Sequence, residues 1–208
     1  MKFQMVWALL ALITLQVNAA PTQFTGNTEL SGKDLGDVVI TDPTTLVNID
    51  GCKMTSLTVQ CSSSCGGSTG ASLEVNIVGT QIGSGGLVFN SNLANTQVTI
   101  NQTKIGGTAP AVSGIAFSGT VDDYSVISIA NSEITATYIA VLFSGDVVTG
   151  TTIDISNSTL YVPYVYNGQK YPAALRMSSN LASLAALTAT NSTFKISDVG
   201  TSPPTSAV

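Results

Sequence analysis

The sequence predicts an all-β fold: a single-stranded, right-handed parallel β-helix (a solenoid) of about six coils behind an N-terminal signal peptide. Three observations carry that expectation. An eight-residue pattern occurs six times along the chain. A second apolar strand recurs between the copies, always in the same order. The composition suits strands and turns: charged residues make up only 9%, while Ser, Thr, Asn and Gly are abundant. A helical or coiled-coil protein would need far more Glu, Lys and Arg.

The pattern is clearest at residues 98–105, VTINQTKI. It returns as VNIDGCKM (47–54), VNIVGTQI (75–82), ISIANSEI (127–134), IDISNSTL (153–160) and LTATNSTF (187–194). Positions 1 and 3 are apolar in nearly every copy, and positions 2 and 4 are mostly polar. That period-2 alternation belongs to a strand with one buried face. Position 5 is Gly51, Gly79, Gln102, Asn131, Asn157 and Asn191. Glycine and asparagine tolerate left-handed backbone angles, so a bend belongs there. Position 6 is always small (Cys52, Thr80, Thr103, Ser132, Ser158, Ser192). Position 8 is always large and apolar (Met54, Ile82, Ile105, Ile134, Leu160, Phe194).

The second strand reads LTV at 57–59, LVF at 87–89, IAF at 115–117, VLF at 141–143 and LRM at 175–177. Repeat starts lie 28, 23, 29, 26 and 34 residues apart, a size that suits a solenoid unit of strands and turns. Equivalent strands one coil apart would stack in parallel at about 4.8 Å. The competing fold is an antiparallel sandwich of short strands. Two strand types recurring in fixed order speak against it.

In chain order, residues 1–19 read as a secretory signal peptide, with Lys2, an apolar run over 5–13, and small residues before a cut after Ala19. As an uncleaved anchor the apolar run would be short for a spanning helix. Residues 20–46 hold one apolar run, Val38-Val39-Ile40, and no recognisable copy of the pattern. They are expected to form an N-terminal cap and partial coil, because solenoid ends expose unpaired edges. The β-helix is expected over 47–197, and a Pro/Ser/Thr-rich tail over 198–208.

Within the solenoid, one interval varies most, from the end of a copy to the following second strand. Ile82 to Phe89 is 7 residues, Ile105 to Phe117 is 12, Ile134 to Phe143 is 9 and Leu160 to Met177 is 17. Variation concentrated at one corner marks one side of the stack. The longest version, YVPYVYNGQKYP at 161–172, holds four of the six tyrosines. Tyrosines offer flat apolar area with a hydroxyl tip, which suits sugars and protein partners alike. Tyr161, Tyr164, Tyr166, Lys170 and Tyr171 are therefore the candidate ligand-binding residues; in the competing reading the loop packs its own aromatics against the coil.

Other chemistry is sparse. Histidine is absent, which excludes Ser-His-Asp triads, Cys-His dyads and histidine metal sites. Asp122-Asp123 is the one acidic pair that could divide acid and base roles in glycoside hydrolysis. It sits in a turn, and neighbouring strand residues point to opposite faces. No catalytic residue, metal or cofactor is expected. Cys52 occupies a small inward position and reads as a buried thiol. Cys61 and Cys65 flank Ser-Ser-Ser and are expected to close a small loop, with Cys52–Cys61 as the alternative pairing. Asn101, Asn157 and Asn191 head N-x-S/T sequons. Asn101, at outward position 4, is the favoured glycosylation site; the other two occupy the bend, where a hydrogen-bonded stack would shield them. Net charge is −5 with 7 basic residues, which argues against nucleic acid and against a polybasic membrane contact.

The six repeat copies, with their Ser/Thr/Gly-rich spacers and the signal peptide, resemble the dispersed gene family surface proteins of trypanosomes and other kinetoplastids. Bacterial adhesins and pectate-lyase-like proteins share the repeat style. The resemblance implies a β-helical secreted or surface protein with an adhesive role, and it supplies no catalytic residues. Three readings follow. The first is a non-enzymatic β-helix on the extracellular side that presents one face to a glycan or protein. The second is a carbohydrate-active enzyme of pectate-lyase-like architecture. The third is a structural coat component that associates end to end.

Overall fold

The structure is a computed structural model that describes residues 20–66, 72–106, 111–122, 124–164, 172–182 and 185–198. These residues form a parallel β-solenoid with no helix among them. Three faces wrap one core. The repeat face is a seven-stranded sheet of Thr28–Ser31, Leu46–Asp50, Leu73–Val78, Thr96–Asn101, Val126–Ala130, Thr152–Ser156 and Ala186–Thr190, stacked in chain order. The broad face is ten-stranded and carries both the ends of the copies and the second apolar strands. The short face pairs Ser64–Cys65, Asn92–Ala94 and Val121–Asp122, then continues as single bridges from Val121 to Val147 to Leu181.

Register repeats residue for residue. Val47, Val75, Val98, Ile127 and Ile153 lie side by side, as do Ile49, Ile77, Ile100, Ile129 and Ile155. All ten are fully buried. A slip of one residue would turn this whole set outward, so the apolar positions 1 and 3 fix the register. On the broad face Phe89, Phe117 and Phe143 occupy one position in three successive coils. Their ring centroids are 4.9 and 4.6 Å apart, with planes within 5° of parallel. A coil rise of about 4.8 Å leaves identical flat rings no other arrangement.

The bend at position 5 is left-handed in every copy, with φ of 59, 58, 50, 50, 48 and 49° from Gly51 to Asn191. Position 6 then sends a hydroxyl inward. The N–H of Thr103 donates to Ser132 Oγ (3.2 Å), that of Ser132 to Ser158 Oγ (3.1 Å), and that of Ser158 to Ser192 Oγ (3.2 Å). The hydroxyls of Ser132, Ser158 and Ser192 donate in turn to the carbonyl two residues back, at 2.7–2.9 Å. Ser125 and Thr96 repeat the device before the repeat face, where Thr96 N–H donates to Ser125 Oγ at 3.3 Å. No buried side-chain polar atom among the described residues lacks a partner. Cys52 holds the first of these positions as a buried free thiol. Cys61 and Cys65 form the disulfide. Beside it, Asp42 accepts hydrogen bonds from the Ser62 N–H and hydroxyl, which hold its carboxyl below the ordinary range.

Two expectations need correction. Residues 20–46 are not a cap with a partial coil. Thr22–Thr25 and Thr28–Ser31 pair in register with the coil below, and residues 28–35 (TELSGKDL) are a seventh copy. Thr28 lies beside Val47, Leu30 beside Ile49, and Gly32 is the left-handed bend with φ 58°. The described residues therefore make seven coils. The variable interval, in turn, is not a corner between sheets. It lies along the midline of the broad face, where Lys53–Gln60, Gln81–Phe89 and Glu133–Phe143 run straight through as single strands. Extra residues emerge there as bulges, with register shifts after Met54 and after Ala111. Residues 1–19, expected to be a signal peptide, and residues 199–208 lie outside the described residues.

Two stability predictions follow from the bend. Ser132→Ala strands the buried Thr103 N–H and should cost about 1–3 kcal/mol in denaturant unfolding. Ser132→Thr keeps the oxygen and should cost far less; equal losses would refute the ladder. Gln102 sits in a conformation that asparagine tolerates better, so Gln102→Asn should raise stability by roughly 0.5 kcal/mol in the same assay.

Candidate functional site

The residues after position 8 point outward and line up parallel to the solenoid axis. Their order is Thr55, Gly83, Gly106, Thr135, Tyr161 and Lys195, set by the pairing of the residues just before them. Two neighbouring rungs of this row carry no side chain. The backbone requires one of these glycines, Gly106, to be bare. Gly106 has φ 101°, and a methyl group there would collide with the Thr135 carbonyl. At Gly83 a methyl would lie in ordinary contact with the Thr55 and Met54 carbonyls, at 3.4 and 3.5 Å, so the bare surface there is a property of the sequence rather than of the backbone. The result is a glycine-floored trough on the midline. Two adjoining cavities of about 280 and 250 Å³ open into it, sharing Lys53, Met54, Gly83 and Gly106. Asp34, Thr55 and Ser84 line one of them, and Gln81 and Lys104 the other.

Charge collects along this trough although the chain is acidic overall. The row before the glycines reads Lys53, Gln81, Lys104 and Glu133. Lys104 pairs with Glu133 at 3.1 Å, both half exposed, a contact of small energetic weight. The Lys53 ammonium has no ion-pair partner among the described residues. Lys33 adjoins it, its carbonyl accepting the Lys53 N–H at 2.7 Å.

Of the tyrosine set, Tyr161 stands in the same outward row, two rungs beyond Gly106. The Lys195 ammonium lies 5.1 Å from its ring centroid, in cation–π range. Tyr164 ends the same strand, Thr159–Tyr164. Tyr166, Lys170 and Tyr171 lie outside the described residues. Arg176 donates to the Tyr138 hydroxyl at 3.4 Å. Asp122 is on the short face, away from the trough, and Asp123 lies outside the described residues. Among the described residues no three His, Cys, Asp or Glu side chains gather as a metal site would need.

The sequons differ in setting. Asn101 is half-buried; its Oδ1 accepts from Asn131 Nδ2 at 2.9 Å, and the hydroxyl of its partner Thr103 is buried. Asn157 and Asn191 are exposed at the left-handed bends.

The trough was missed from sequence. Its signal was present: glycines crowd two successive variable intervals, at Gly83, Gly85, Gly86 and at Gly106, Gly107. No family model, curated protein or solved structure matches this chain. No helix among the described residues is long and apolar enough to cross a membrane.

Proposed function

We propose that this chain is a secreted or cell-surface β-helix that works by binding, taking an extended glycan or protein segment along the midline of its broad face. One observation carries the reading: a trough floored by Gly83 and Gly106 runs along the axis, edged by Lys53 and Lys104, toward the aromatic face of Tyr161. Concave polar floors next to a partly exposed aromatic are what sugars and extended peptides use. The single carboxylate in the lining, Asp34, fits a recognition contact better than a two-carboxylate hydrolytic mechanism. The signal-peptide reading of residues 1–19 and the resemblance of residues 47–194 to kinetoplastid surface proteins agree with an extracellular place of work. An adhesive role follows from the same features.

The test is binding to a panel of glycans and extracellular proteins, followed by two variants. Ser84→Trp fills the trough from an exposed position and should weaken binding at least tenfold, while thermal unfolding stays nearly unchanged. Tyr161→Ala should weaken it several-fold. Undiminished binding in both variants would remove the trough from consideration, and cleavage of a panel member would favour an enzyme instead.

Glycan occupancy offers a second check on the extracellular reading. In chain recovered from a secretory pathway, peptide mass spectrometry should find Asn157 and Asn191 occupied more fully than Asn101, whose side chain is already engaged. Dominant occupancy at Asn101 would contradict this order.

A further inference from the structure

The last described coil is a rung without a neighbour. Leu187, Phe194 and Ile196 are 39, 42 and 47% exposed, whereas Ile153, Leu160 and Val162 directly beneath them are fully buried. Leu181 is 46% exposed over buried Val147. Among the described residues Ala186–Thr190 and Thr193–Asp198 are edge strands, and so are Thr22–Thr25 and Thr28–Ser31 at the other end, where Thr28 and Leu30 are only 5 and 8% exposed. Unpaired edges with apolar side chains beside them are templates for further strands.

The two ends are cut at the same place. The first coil begins with Thr22–Thr25 on the far half of the broad face and closes with Leu35 on the near half, beside Met54. The last coil begins with Ala173–Met177 on the far half and closes with Thr193–Asp198 on the near half. Both are whole turns that start and stop at the midline. A copy placed on the last coil therefore meets it strand for strand, with no half-rung missing or doubled. Asp198 pairs with Tyr164, at the end of the strand Thr159–Tyr164.

Side chains match in that register. Extending the pairing pattern by one rung sets Met177 against Phe24 of the next copy, a thioether-to-ring contact that continues the Phe89–Phe117–Phe143 column. It sets Phe194 against Leu35, and Ala189 against Leu30. Outside, Arg176 meets Gln23, Thr188 meets Glu29, and Lys195 meets Gly36 between the carboxylates of Asp34 and Asp37. No like charges fall opposite each other. We propose that a second copy of this chain stacks head to tail on the last described coil, so that the solenoid continues across molecules. Such a contact is heterologous and open, and it builds linear fibres rather than closed dimers.

The test uses residues 20–208, the chain left by the expected cut after Ala19, in sedimentation velocity and electron microscopy over a wide range of concentration. The expected result is mass that grows with concentration and single-width filaments. Ile196→Glu, which would fall opposite Asp37, should block one end. Gln23→Arg with Gly36→Lys should block the other by placing cations opposite Arg176 and Lys195; both positions are exposed, and the Gly36 backbone has open space for a side chain. Each blocked variant alone should stay monomeric, and their mixture should stop at dimers. Adding Lys195→Glu to Gly36→Lys should restore growth, which no folding defect would imitate. A wild-type chain that stays monomeric at every concentration, as when residues 199–208 cover the end, overturns the proposal. So does growth in Ile196→Glu, or a failed charge-swap rescue.

Discussion

The structure depends on one constraint: every coil must present the same kind of atom at the same place as the coil beneath it. Strand hydrogen bonds do this for most of each turn. At the bend after each repeat strand the backbone leaves the sheet, and one N–H per coil points along the axis into the core. A buried N–H without an acceptor costs about 1–3 kcal/mol. The position 6 hydroxyl of the next coil supplies the acceptor and then discharges its own proton to the carbonyl two residues back. Small size, a hydroxyl and a left-handed residue before it are therefore one requirement. That requirement is why the bend reads Asn-Ser or Gly-Thr so often.

The same requirement explains what was legible. Six copies could be seen because alternation, a bend and a small inward residue, a hydroxyl in five of the six, appear together. The seventh, residues 28–35, lacks the hydroxyl: Lys33 stands at position 6. In the ladder, a hydroxyl serves the coil before its own. No described coil precedes this one, so the constraint is lifted and the pattern fades. Thr28 stands in place of an aliphatic residue and is buried, its hydroxyl donating to the Gly26 carbonyl at 3.1 Å. The buried Cys52 thiol was readable because position 6 admits only small side chains, and the Cys61–Cys65 bridge was the favoured of two pairings. The trough was not. Its depth comes from two register shifts and from two glycines falling on adjacent rungs, which spacing along the chain does not show.

The midline of the broad face answers to a looser rule. A parallel ladder is interrupted there without breaking the core, because the flanking positions, Met54 and Leu57 in one coil and Ile134 and Val141 in another, still reach their places inside. Length and composition are free to change between them. Recognition belongs on such a strip, since variable loops on a rigid frame carry function at little cost to the fold. The repeat face is the opposite case. Its outward residues are short and polar, and any change in length there would shift every strand beyond it.

The open end and the trough bear on each other. Internal coils are held by the neighbours on both sides, and a joint between molecules in the same register would use the same contacts minus the connecting chain. Losing that connection charges the joint with the entropy of association, so it should be weaker than any internal interface and respond to concentration. Once formed, however, it aligns the midline of one molecule with the midline of the next. Single troughs then become a row, and a long ligand engaging several of them gains effective concentration at each further site. A modest trough edged by Lys53 and Lys104 has little reach alone. Repeated along a fibre, the same trough suits a long polymer far better than a small molecule.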